Sequence, residues 1–246
     1  MEGPDGGQMS LIEHLVELRR RILICAAAVA VTSTIMFFLF PQVLSFLEEP
    51  YREVTKSAQF PDGRSLIAID PLQPFLVRIK VSAYGGITLA LPIILWEIWR
   101  FIVPALHPRE RKYAVPFIVS SVVLFLMGVA VAWFTVTKAL DFLLNTVTGG
   151  EIEPALTADK YLTLVMLMFL AFGASFLFPV LLVFLLLVGV INTQALRRSR
   201  RWALIGITIF AAVITPSQDP ISLLFMAVPM YVFYEAAILI GRVMKK

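Results

Sequence analysis

An all-α integral membrane protein is predicted by three features of the sequence: few charges, many apolar residues, and the arrangement of those residues in long blocks. Of 246 residues, 21 are basic and 17 acidic, 15% in all, while 59% are hydrophobic. A soluble domain carries roughly 25% charged and 45 to 50% apolar residues, so this composition excludes a soluble globular protein and a disordered tail protein. The apolar residues run continuously and lack the weak period-two alternation of an outer-membrane barrel, so helices are expected to do the crossing.

Six predominantly apolar segments give the expected spans of a single membrane domain, residues 22–40, 75–101, 113–138, 160–188, 202–215 and 221–240, with 1–9 as a flexible cytoplasmic tail. The first follows Arg19, Arg20 and Arg21 and ends near Phe40, where Pro41 intervenes. The second opens after Pro74 and is long enough if Arg78 and Lys80 snorkel outward to the headgroups. The third begins beyond Lys112, and the fourth ends near Gly189, before Asn192. Each of these four reaches the roughly 20 residues that a hydrocarbon core of about 30 Å requires.

The fifth is shorter. Between Arg201 and the Thr215-Pro216 break lie about 13 residues, which give about 20 Å of helix. It is either a half-membrane helix or, with the sixth, a short hairpin over which the bilayer thins. The sixth carries Pro229 and Glu235, which places its inner end at the interface. Pro92, Pro116, Pro179 and Pro229 are expected to bend their helices, so that the bundle curves. Two outer loops remain, about residues 41–74 and 141–159; the first is long enough for short helices or a cap, with a turn at Pro61-Asp62-Gly63.

Orientation follows from the basic residues. Arg19 to Arg21, then Arg100, Arg109, Arg111 and Lys112, then Arg197, Arg198, Arg200 and Arg201, and finally Arg242, Lys245 and Lys246 all fall on one side of a six-span topology. By the positive-inside rule both termini are cytoplasmic. The net charge of +4 therefore reflects the cytoplasmic loops and not a nucleic-acid partner. The first block resembles a signal peptide in its charges, but it is too long and no small-residue cleavage site follows, so a retained anchor is expected. A single cysteine, Cys25, permits no intrachain disulfide.

No zinc-binding H-E-x-x-H, nucleophile elbow or phosphate loop occurs in the sequence. No enzymatic activity, metal or cofactor is expected, and the two histidines, His14 and His107, fall in cytoplasmic segments. Ser10-Leu-Ile-Glu13 fits a capping box that starts a helix. From there Leu11, Leu15, Leu18 and Ile22 form a stripe for the membrane interface, with Glu13 and Glu17 on another side. Two readings of these carboxylates stand open. They pair with Arg20 and Arg21 by helix spacing, or with Glu110 they form an acidic pocket suited to guanidinium groups, which fill bidentate carboxylate sites as lysine does not.

Several stretches in order give the chain a resemblance. Glu13-His-Leu-Val-Glu-Leu-Arg-Arg-Arg resembles the H-L-x-E-L-R element of the TatC family, the polytopic subunit of the twin-arginine protein translocase. Pro92-Ile-Ile-Leu-Trp-Glu-Ile-Trp-Arg-Phe-Ile-Val-Pro-Ala-Leu, running on to Glu110-Arg111, is similar to a second family stretch. Asp70-Pro-Leu-Gln-Pro-Phe, Ala171-Phe-Gly, Thr215-Pro-Ser-Gln-Asp-Pro and Ala227-Val-Pro-Met-Tyr add matches over nearly the whole length.

The resemblance implies a cupped, six-span protein of the inner membrane with its last two spans short. It implies a receptor for twin-arginine signal peptides of folded cargo, driven by the proton-motive force, self-associating and recruiting TatA- and TatB-type single-span partners. By motif position, Glu17 and Glu110 would contact the arginines, with Phe101, Arg19, His14 and Leu18 shaping the surface around them. Thr215, Gln218 and Asp219 would offer a polar contact to a partner. Two positions depart from the family: Leu177 stands where many members have a glutamate, and Leu223 where a glutamine is usual. The alternative from another class is a small-solute secondary transporter using the concave face as its cavity.

Overall fold

The computed structural model describes residues 11–57, 66–102, 114–147 and 156–243. The helices are α1 (Leu11–Phe38), α2 (Phe40–Ser57), α3 (Gln73–Ile102), α4 (Ala114–Asp141), α5 (Ala158–Ser175), α6 (Phe178–Val188), α7 (Thr193–Arg198), α8 (Arg200–Ile214) and α9 (Pro220–Val243). A π-helical segment, Phe142–Val147, continues α4. No strand forms among the described residues; an isolated bridge joins Ile67 to Thr157 and ties one outer loop to the other. Ser10, Pro61, Asp62 and Gly63 lie outside the described residues, and with them the expected capping box and outer turn.

Five helical stretches among the described residues are long and apolar enough to cross a membrane: Ile12–Phe38, Gln73–Ile102, Ala114–Leu144, Ala158–Val188 and Pro220–Val243. Half of the apolar window in Ala158–Val188 is buried, against 6% in Ile12–Phe38. The α5–α6 unit is therefore the axis of the bundle, and α1 is an outer helix whose apolar surface faces lipid. Phe172, Phe176, Met168 and Leu162 of that axis are almost fully enclosed.

The structure adds detail to the sequence expectations at three places. The first span, expected to end near Phe40, is followed at once by a second helix: α1 stops at Phe38 and α2 begins at Phe40, with Pro41 in the first turn, where a proline's missing N–H costs no helical bond. The fourth span is two helices. Phe176 and Leu177 form a turn before Pro179, the second residue of α6, so a proline near the start of a new helix replaces a kink within one. Arg78 does not simply reach for headgroups. Its Nη2 donates to the carbonyl of Phe37 at 2.8 Å and its guanidinium lies 4.1 Å from the centre of the Phe37 ring, while Lys80 pairs with Asp159 at 2.7 Å. A carbonyl in the last turn of a helix has no helical donor, and here a side chain from α3 supplies one.

Pro92 and Pro229 lie inside α3 and α9, and Pro116 is the third residue of α4, where a helix has no acceptor for that N–H in any case. The short α7 was not foreseen; Asn192 caps it by accepting from the N–H of Ala195 at 2.7 Å. Gly189 ends α6 at φ 81°, a left-handed conformation suited to glycine. At 15 residues α8 is short, as its sequence foretold, and it buries only Ile207 and Ala211.

Two contacts fix the geometry. α1 and α3 run antiparallel so closely that a Cβ on Gly86 would come 2.6 Å from the Cα of Ser33, and Thr32 Oγ1 lies 2.7 Å from the Gly86 carbonyl. α2 is held across the outer end of the bundle by Tyr161, whose buried hydroxyl donates to the Leu47 carbonyl at 2.7 Å.

Gly86→Leu is expected to lower the stability of the detergent-purified protein by at least about 1–3 kcal/mol, the usual cost of overpacking, whereas Gly206→Leu, whose side chain would meet open space, leaves it unchanged; thermal melts of the two variants check this. Tyr161→Phe removes a buried hydrogen bond and is expected to cost about 1–2 kcal/mol in the same melts.

Candidate functional site

Residues 14, 17 and 21 are spaced by three and four, so they share one face of α1. On α3, residues 97 and 101 do the same. These two faces meet. The imidazole of His14 stacks on the ring of Phe101 with centroids 4.4 Å apart and planes at 21°. One step inward, Arg21 Nη2 donates to Glu17 Oε1 at 2.9 Å and Nη1 donates to Glu97 Oε2 at 2.7 Å. The side chains of Arg21, Glu17 and Glu97 are 15%, 17% and 7% exposed, so the cluster is largely desolvated. Charges in such a place persist only when paired and hydrogen-bonded. Even so, Glu17 Oε2 and Arg21 Nε are buried with no partner among the described residues.

The structure thus brings together three of the residues singled out from sequence, His14, Glu17 and Phe101. Leu18 and Arg19 are exposed on the outer side of α1, as is Arg20. Leu15 and Ile22 share that exposure, which agrees with an apolar stripe at the membrane interface. Glu110 lies outside the described residues, as does His107. The helix-spaced pairing of Glu17 is realised with Arg21. Sequence reasoning missed Glu97, which is 5% exposed. A signal was present, since a carboxylate inside the apolar stretch Leu95-Trp96-Glu97-Ile98-Trp99 is costly unless it has a partner. The partner is 76 residues away in sequence, so periodicity within either helix could not name it.

At the opposite end of the bundle, the turn from α8 to α9 holds Thr215, Gln218 and Asp219. Thr215 is buried and its hydroxyl donates to the Ala211 carbonyl at 2.6 Å. Asp219 caps α9, its Oδ1 accepting from the N–H of Ser222 at 2.7 Å, and its Oδ2 is buried without a partner among the described residues. Only Gln218 is exposed, at φ 49°. Thr215 and Asp219 build the turn, and Gln218 is the side chain of the three that the turn presents. Leu177 is half-buried at the junction of α5 and α6. Among the described residues no three His, Cys, Asp or Glu side chains converge in a way that could hold a metal ion.

Comparison with known proteins agrees with this architecture. The family model for the Sec-independent protein translocase protein (TatC) matches residues 13–229. The TatC of Escherichia coli K12 is 36% identical over 233 residues, covering 94% of this chain and 88% of that protein. The TatC of Deinococcus radiodurans is 34% identical over 98% of this chain and 89% of its own length. The TatC of Frankia casuarinae is 36% identical over 96% of this chain, which spans 66% of that longer relative. A crystal structure of the twin-arginine translocase receptor TatC superposes with a TM-score of 0.78 at 34% identity, covering 93% of this chain and 99% of that one. With the fold, the sequence matches and the family model in agreement over almost the entire length, the chain belongs to the TatC family of Sec-independent protein translocase proteins.

Proposed function

We propose that this translocase protein is the receptor and core subunit that binds twin-arginine signal peptides of folded cargo at the meeting of α1 and α3. The observation that carries the reading is the unpartnered, buried Oε2 of Glu17, beside the stacked rings of His14 and Phe101. An acceptor with its lone pairs unsatisfied in a dry place gains most from a charged donor. A guanidinium is such a donor, and the aromatic pair offers its flat face something to stack on. Glu110 supplies the second carboxylate in this reading.

The rest of the arrangement follows. Six helices cross the inner membrane, the five long ones and the short α8, with both termini in the cytoplasm. In that orientation the Glu17 cluster faces the cytoplasm and Gln218 faces outward. Partner subunits of the TatA and TatB type dock on α8 and α9, with Gln218 as a polar contact, and copies of the chain associate in a larger complex. The proton-motive force supplies the energy, and the chain performs no catalysis itself. A small-solute transporter is less well supported. An apolar groove of about 340 Å³ between α1, α2, α3 and α5 is lined by side chains such as Met36, Phe46, Leu89 and Phe169, and no ionisable side chain among the described residues lines it.

The detergent-purified protein is expected to bind a twin-arginine peptide at least about tenfold more tightly than its twin-lysine counterpart, because only the guanidinium is bidentate. Raised salt should weaken that binding. Glu17→Ala combined with Glu110→Ala should weaken it on the order of a hundredfold, two charge-assisted bonds' worth, with an unchanged elution profile. Equal binding of both peptides would sink the receptor reading. In a Cys25→Ser background, Gln218→Cys should react with an impermeant thiol reagent added outside intact cells, and Arg20→Cys should not.

A further inference from the structure

Glu17, Glu97 and Arg21 together hold two negative charges and one positive. Arg21 divides its fork between them, one terminal nitrogen on each carboxylate, at 2.9 and 2.7 Å. A purely structural pair in so dry a place is expected to satisfy its remaining lone pairs. Among the described residues this one leaves Oε2 of Glu17 unpaired, on the more exposed of the two carboxylates. Among the described residues the cluster is thus short of one cation, and the residue that half-fills it is itself an arginine.

We infer that Arg21 is an internal stand-in for the arginine that the site receives. Held by Glu97, it half-occupies Glu17 in the free protein; on binding, a peptide guanidinium displaces Arg21 Nη2 and takes Glu17 through both oxygens. The inference rests on the receptor reading above. Glu97 makes the exchange inexpensive, because Arg21 keeps its Nη1 bond and is never left as a buried, unpaired cation. It also sharpens selectivity. The ligand competes against a resident fork, and a lysine, a point charge on a flexible stem, reaches Oε2 but replaces only one of the two bonds. Arg21 is a positioning residue, acting on the ligand through Glu17.

The test compares peptide affinities of the full detergent-purified chain and two variants that a structural role would move in the same direction. Arg21→Gln leaves two carboxylates facing each other in the free protein, a cost that the incoming guanidinium relieves. Its affinity for the twin-arginine peptide should rise about tenfold, and the preference for arginine over lysine should shrink. Glu97→Gln frees Arg21 to take Glu17 with both nitrogens, and affinity should fall about tenfold. If Arg21→Gln does not fold, Arg21→Lys keeps the charge without the fork and should raise affinity several-fold. Weakened binding in both the Arg21 and the Glu97 variants, or no change in either, overturns the inference while leaving the receptor reading in place. A wild-type protein that does not discriminate the two peptides ends both.

Discussion

The antiparallel pairing of α1 with α3 is fastened at both ends by an arginine, one from each helix. Arg21 reaches from α1 to Glu97 of α3, and Arg78 reaches from α3 to the Phe37 carbonyl of α1. Between them the helices touch at Gly86 and Ser33 with no room for a side chain. On α3 the two fasteners are about 19 residues apart, or about 28 Å of helix, close to the roughly 30 Å of a hydrocarbon core. Polar groups in lipid must be satisfied within the protein, and this pair meets that demand by placing its charged contacts at the two rims and its backbone contact in the middle. Everything else in the bundle is arranged against that pair: α5 packs behind α3 as the buried axis, and α2 closes the outer end through Tyr161 and Leu47.

How much of this was legible in the sequence depends on whether the signal is local. The long helices were, because hydrophobic runs and their basic borders are properties of consecutive residues. So was the shortness of α8, whose 15 residues lie between Ser199 and Thr215. The break at Phe176 was read as a bend, since Pro179 announces a disruption without saying whether the helix resumes in line. The start of α2 was hidden for a related reason: Pro41 signals a stop and is equally at home in the first turn of a new helix. Contacts between distant segments were not legible. Three consecutive arginines stand at positions 19 to 21, and only the fold selects Arg21 to face α3 while Arg19 and Arg20 remain exposed. Glu97 lay inside the second expected span, and its partner came into view only across the helix pair.

The same distinction separates the two candidate regions. At the end of the bundle where α1 begins, residues chosen for their motif positions converge, and their geometry leaves Glu17 Oε2 without a partner among the described residues. At the outer rim, Thr215 and Asp219 are occupied with their own backbone, terminating α8 and starting α9. A motif can be retained because it builds a turn, and the turn then displays a neighbour. Here that neighbour is Gln218, held at a positive φ that few side chains adopt readily. Recognition at that end would rest on the shape of the turn as much as on any one polar group.

Leu177 bears on where the chemistry of this family member resides. It sits half-buried at the junction of α5 and α6, where the family resemblance led one to expect a carboxylate. Within the described residues the ionisable side chains instead gather at the rims: Arg21 with Glu17 and Glu97, Arg200 with Glu235, Lys80 with Asp159 and Arg78 over Phe37. A protein that cycled an ion through its own interior would need a titratable group at mid-depth. A receptor needs one only where its ligand arrives, and it is at the inner rim that the structure holds two acids on one arginine.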